Sequence, residues 1–278
     1  MQSALGRPID FRFASNRFAV FATFAAGAIA SAVTFAGRDD NALGAGVLAG
    51  GAAFLAWAVA RELDPDRTLT AYVAAPLGFV MWFFDPAGLL VTGAVLLAVR
   101  VVTGTVGYSP STADLALLVG FATLVGLRPG GVVAAAAIGV AIALDARLAG
   151  RDSALRYGSA LAGIAGASVA TALWASAIEF SSITLASGAA AALAIGIAIA
   201  TPLGPVTSLT DLKKRPLERR RVRLGRLLAA AAIGGYLGLG GSNGVTQMGA
   251  VVAALMALGV AAVYASSGRP IRTSKPGR

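Results

Sequence analysis

Apolar runs recur from residue 18 to residue 264 with only short polar gaps between them. There are ten, at 18–36, 43–60, 69–84, 87–103, 114–127, 131–146, 157–178, 182–202, 224–241 and 245–264. A surface helix of a soluble domain needs a polar stripe, and these runs lack one. Only 13% of residues are charged and 57% are apolar, against about 25% charged in an ordinary soluble domain. Inside lipid every backbone N–H and C=O must be paired within the protein, which leaves helices or closed barrels. The runs are continuous rather than alternating, so helices are expected.

The predicted fold is therefore all-α: a polytopic integral membrane bundle of about ten transmembrane helices. It forms a single transmembrane domain over 1–278. Polar parts are the N-terminal segment 1–17, a basic loop at 203–223 and a basic tail at 265–278. Several runs are shorter than the ~20 residues of a standard span. Runs 114–127 and 131–146 are separated only by Arg128-Pro129-Gly130. They read either as two full spans or as a re-entrant pair. Merging both members of one hairpin would give eight spans.

The stretch KKRPLERRRVRLGR, residues 213–226, carries eight positive charges in fourteen residues. Lys and Arg in short loops resist translocation, so their placement reports orientation. With the N-terminus in the cytoplasm and every run crossing, 21 of the 23 basic residues fall inside. Only Arg38 and Arg128 fall outside. Both termini are then cytoplasmic, and the expected location is the cell (plasma) membrane. The net charge of +10 points to the bilayer and its anionic headgroups rather than to nucleic acid. Lys213, Lys214, Arg215, Arg219, Arg220, Arg221 and Arg223 are the expected headgroup contacts. A helix starting near Arg219 could lie along the headgroups before turning inward. Trp57, Tyr72, Tyr108, Tyr157 and Tyr264 fall near the inner boundary of the runs, and Trp82, Phe83, Phe84 and Phe180 near the outer one, as an interfacial aromatic belt would.

Ten runs divide as five plus five at Arg128-Pro129-Gly130, which would make the halves an inverted repeat of the kind transporters use. In size and topology the chain is similar to the drug/metabolite transporter superfamily, a likeness with no residue motif behind it. That likeness implies alternating access.

The chain has no Cys and no His, which removes thiolate chemistry, the commonest general base and the commonest transition-metal ligand. In Arg61-Glu62-Leu63-Asp64-Pro65-Asp66-Arg67, three carboxylates at alternate positions could offer oxygens to Mg²⁺. The internal alternative is a set of Arg–carboxylate pairs. Asp-rich loops of UbiA-type membrane prenyltransferases sit in a corresponding place, but their leading Asn-Asp, their spacing and their second motif are absent here. Asp114, after Ser109-Pro110-Ser111-Thr112, reads as part of a helix N-cap, and Asp114, Asp145 and Asp152 fall on the cytoplasmic side. Glu179 has no basic residue within twenty positions. In an apolar setting it suits proton coupling. Arg100, just inside its run, either snorkels to headgroups or holds an anionic substrate. Gly234, Gly235, Gly238, Gly240, Gly241 and Gly244 crowd the turn between the last two runs, as close helix packing would require.

The expected function is a small-molecule transporter or permease working by alternating access, with Glu179 and Arg100 as its substrate and proton-coupling residues and no cofactor. Two alternatives remain: a Mg²⁺-dependent membrane enzyme acting on a lipid or polyprenyl phosphate, and a non-catalytic subunit of a membrane complex. Because the chain has no Cys, orientation has a clean test. With Lys214→Cys or Thr184→Cys as the sole thiol, an impermeant maleimide should label Thr184→Cys from outside intact cells. It should reach Lys214→Cys only after the membrane is opened.

Overall fold

Long apolar sequence with few breakers folds into helices because each turn pairs its own backbone groups. The computed structural model describes residues 3–6, 9–37, 40–84, 88–128, 130–150, 153–174 and 181–267. Among these the protein is all-helical, with ten helices. They are α1 (Ala14–Ala36), α2 (Ala42–Leu63), α3 (Thr68–Trp82), α4 (Leu89–Thr103) and α5 (Thr112–Gly126), followed by α6 (Val132–Leu148), α7 (Ala154–Trp174), α8 (Leu185–Ala200), α9 (Arg219–Gln247) and α10 (Gly249–Ser266). Each overlaps one of the ten apolar runs. Four, α1, α2, α9 and α10, are long and apolar enough to cross a membrane, so this is a membrane protein. The helices α3, α4 and α5 have 15 residues each and α8 has 16, or roughly 22–24 Å of rise.

Two groups of helices meet at α4. The helices α1, α2, α3 and α10 pack together, with α8 against α10; α5, α6 and α7 form the other group. Helix α4 lies against α2, α6 and α9 and joins them. Val95, Val99 and Val102 of α4 are fully buried, as are Ile138 of α6, Ile233 of α9, and Leu255 and Leu258 of α10. Within lipid such contacts gain from close packing rather than from water release, so approach distance decides which faces meet. Helix α2 places Gly46 and Gly50 against α1. A Cβ at Gly50 would lie 2.7 Å from the Thr23 carbonyl oxygen, and one at Gly46 would lie 2.9 Å from that of Gly27. Gly139 of α6 approaches α7 similarly, 2.9 Å from the Ala160 carbonyl oxygen.

Three features differ from the sequence expectation. Helix α9 begins at Arg219 and keeps helical backbone angles until Gly241 (φ 58°, ψ −135°), so the arginine-rich start is the first part of α9 itself and not a separate surface helix. The helical assignment runs through the glycine-rich turn, yet the break at Gly241 is the turn between the last two runs. Trp57 is 5% exposed, packed beside Phe54 in the core, so it is no part of a boundary belt. The helix neighbours also depart from five-plus-five symmetry. Helix α3 lies against α1, α2 and α10, whereas its would-be counterpart α8 lies against α9 and α10. Glu179, Phe180, Asp152, Arg38 and the tail beyond residue 267 lie outside the described residues.

Gly50→Val should push α1 away from α2 and cost about 1–3 kcal/mol, read as a lowered Tm in detergent. Gly196→Ala, on an exposed face of α8 with open space at its Cβ, should leave Tm unchanged or raise it, since Ala is the better helix former by up to ~1 kcal/mol.

Candidate functional site

Charges that must enter a bundle do so at helix ends, where the chain leaves the apolar layer. Here they gather at one end, around the last turns of α2, α4 and α6 and the first turns of α5, α7 and α9. Glu62, in the last turn of α2, is fully buried. Its Oε1 accepts from Arg100 Nε at 2.8 Å, and its Oε2 accepts from the hydroxyls of Thr103 and Thr105. Arg100 also donates from Nη1 to the Leu5 carbonyl at 2.8 Å. The predicted substrate residue is thus engaged with α2 and the N-terminal segment.

Asp64 follows α2 and is 4% exposed. It accepts from the Thr70 hydroxyl and lies 3.7 Å from Arg226 Nη2 and 3.8 Å from Arg67 Nε. Arg226 is 1% exposed. It donates from Nε to the Leu63 carbonyl at 2.8 Å and from Nη1 to the Thr201 carbonyl at 3.2 Å, joining α2, α8 and α9. Burial pushes the Asp64 carboxyl above the ordinary range; the Thr70 hydrogen bond and the charges of Arg67 and Arg226 pull it partly back, and Asp66 adds to the rise. The folded protein therefore holds this proton to higher pH than the unfolded chain does. The group's contribution favours folding below its unfolded pKa and is lost as pH rises through its folded one.

Asp145, near the end of α6, is 3% exposed and pairs with two arginines. Its Oδ2 lies 2.9 Å from Arg156 Nη1 of α7, and its Oδ1 lies 2.9 Å from Arg221 Nη1 of α9. Arg221 also donates to the Val102 carbonyl at 3.1 Å, and Arg156 to that of Pro110 at 3.1 Å. Ser111 caps α5 in a reciprocal capping box with Asp114, as its sequence predicted. Asp114 in addition accepts from the Ser3 hydroxyl and the Ala4 N–H, tying down the N-terminal segment.

The basic loop is ordered rather than a bare tether. Leu209 and Pro216 form an antiparallel bridge, and Leu217 N–H donates to the Ser208 carbonyl at 3.1 Å. Asp211 and Leu212 N–H groups donate to the Thr105 and Val106 carbonyls at 2.9 and 3.2 Å. Asp66 accepts from the Ser208 N–H at 2.7 Å and from Thr207. The loop thus lies across the ends of α2 and α4.

Glu62, Asp64 and Asp66 face three different sets of partners: α4, α9 and the loop. Among the described residues no three Asp, Glu, His or Cys side chains come together to hold a metal. Of the seven expected headgroup contacts, Lys213, Lys214, Arg215, Arg219, Arg220 and Arg223 are exposed. Lys213 places Nζ 4.4 Å from the Tyr108 ring centre, and Arg221 is turned inward onto Asp145. Arg226 was missed as a site residue. Helical spacing carried the signal: it shares a face with Val222, Ala229 and Ile233, all buried. Thr103 and Thr105 had no such signal, because their partner Glu62 is 41 and 43 residues away; Arg156 had none because its partner Asp145 stands on a different helix.

At the opposite end the contacts among the described residues are uncharged; Arg38, Asp39, Asp85 and Glu179 lie outside them. The Ser181 hydroxyl donates to the Gly240 carbonyl at 2.7 Å, and the Thr184 N–H to the Ser242 hydroxyl at 2.8 Å. A groove of about 220 Å³ opens beside them, lined by Met81, Phe84, Ser187, Val245 and Val252 among others. No protein-family model, curated protein or solved structure matches the chain; the likeness in size to the drug/metabolite transporter superfamily gains no support from them.

Removing one member of a buried ion pair leaves the other charged and unpaired, at a cost of about 3–5 kcal/mol. Glu62→Ala should lower Tm in detergent accordingly. Glu62→Leu combined with Arg100→Leu should recover most of the loss, because an apolar pair of similar volume needs no partner.

Proposed function

We propose that this protein is a multi-pass transporter of the cell membrane, with ten spans and cytoplasmic termini, and that the charged layer is its closed inner gate. The placement of 21 of 23 basic residues supports the orientation. The observation that carries the transport reading is the set of ion pairs that join helix ends on one side of the bundle. Ion pairs join α2 to α4, α2 to α9, and α6 to both α7 and α9; among the described residues of the other end, hydroxyl contacts lie beside an open groove. Buried ion pairs add little net stability over apolar packing. Their use between helices suits contacts that must break and re-form, which alternating access requires. Opening the gate would free Arg100 from Glu62 and turn it toward an anionic solute. Glu179 is the proton-coupling candidate on sequence grounds. Lys214, Arg215, Arg219, Arg220 and Arg223 face anionic headgroups of the inner leaflet in this reading.

Pulsed electron–electron spin spectroscopy on paired thiol labels tests the gate without knowledge of the substrate. Labels at Leu155 and Leu212 report the charged end, and labels at Phe84 and Leu185 report the groove. Two distance populations at the charged end are expected, with Glu62→Gln shifting weight to the longer one. One narrow distance, unmoved by that substitution, would exclude a gate there.

A further inference from the structure

A cavity of about 260 Å³ opens between the connector that follows α2 and the segment that follows α8. Asp64, Asp66, Arg67 and Arg226 line it, together with residues 203–207. It stands where α2 and α8 leave the apolar layer, and it is far larger than one water needs.

The chain does not use all of its two guanidiniums. Nη1 of Arg67 is buried, and among the described residues it meets no hydrogen-bond partner. Arg226 donates from Nε and Nη1 to the Leu63 and Thr201 carbonyls. Its Nη2 stands 3.7 Å from Asp64 Oδ1, and Arg67 Nε stands 3.8 Å from Asp64 Oδ2, both beyond hydrogen-bond reach. Glu62 and Asp145, by contrast, hold their arginines at 2.8 and 2.9 Å. Asp66, the other carboxylate of the wall, takes its hydrogen bonds from the Thr207 and Ser208 N–H groups of the loop. Two cations therefore share Asp64, and they lie close enough for their charges to oppose each other.

A buried donor with no acceptor is rare in a native protein and marks a place where a water or an ion belongs. A single water would meet Arg67 Nη1 and leave the opposed charges as they are. An anion answers both. Guanidinium forks match the spacing of phosphate oxygens, and Asp64, pinned by the Thr70 hydroxyl, sits near both arginines without engaging either in a hydrogen bond. We infer that this cavity binds a phosphate-type oxyanion between Arg67 Nη1 and Arg226 Nη2. The two carboxylates of the wall limit its affinity, which suits an anion that is exchanged rather than held. Free phosphate and the phosphate of a lipid headgroup share the chemistry that these donors recognise. The site does not rest on the transport reading.

The test is the Tm of the full chain in detergent, titrated with inorganic phosphate or with short-chain phosphatidic acid against sodium chloride of equal ionic strength. Phosphate also stabilises proteins that have no site, by exclusion from their surface, so the site shows as a rise in Tm that saturates. Arg67→Gln removes the unmet donor and leaves the Arg226–Asp64 contact in place. It should keep the parent Tm in chloride and lose about tenfold in apparent affinity, the share of one charge-assisted hydrogen bond. Arg67→Lys, which keeps the charge without the fork, should lose less, and it carries the comparison if Arg67→Gln does not fold. Arg220→Gln, exposed and outside the cavity, should bind as the parent does. Saturable protection by inorganic phosphate assigns the site to a free anion, whereas protection by phosphatidic acid alone assigns it to a headgroup. The inference is overturned if neither probe gives a saturable rise, if the Arg67 variants bind as tightly as the parent, or if Arg220→Gln weakens binding as much as they do.

Discussion

Three buried carboxylates, Glu62, Asp64 and Asp145, stand where helices leave the apolar layer, and each is answered by an arginine from another helix. Moving a charge out of water costs several kcal/mol unless a partner and hydrogen bonds meet it. That cost sets where the ends of α2, α4, α6, α7 and α9 can lie relative to one another. It also explains the threonines: Thr103 and Thr105 use hydroxyls to satisfy Glu62 oxygens that Arg100 leaves open. An apolar layer at the same depth would pack the helices without fixing their register. Directional pairs fix it.

The basic loop is built on the same layer. Asp66 collects the N–H groups of Thr207 and Ser208, and the connector after α4 receives those of Asp211 and Leu212. These bonds turn a string of cations into a shaped surface with a cavity beneath it. Most of its cations point outward, while Arg221 and Arg226 point inward and belong to the bundle. One stretch of sequence therefore does two jobs, and the face of α9 on which each arginine falls decides between them.

Small residues complete the account. Apolar side chains facing lipid and those facing protein have similar surroundings, so the helices gain by approaching closely. Gly46 and Gly50 let α2 meet the backbone of α1, and Gly139 lets α6 meet that of α7. Valine at any of these positions would open a gap that nothing else in the contact can fill.

The ten helices, their approximate ends, the turn at Gly241 and the Ser111 cap were all legible in the sequence, because each follows from local patterns: continuous apolar length, glycine at a break, a hydroxyl and a carboxylate three residues apart. The grouping of charges at loop positions was legible for the same reason. The partners were not. That Glu62 answers Arg100, that Asp145 takes both Arg156 and Arg221, and that the 203–218 loop covers the end of α2 depend on contacts across 11 to 142 residues, each between different elements. Local pattern places a residue on a face or at an end. Which helix that face meets is decided by how ten similar apolar cylinders pack, and only the tertiary structure holds that information.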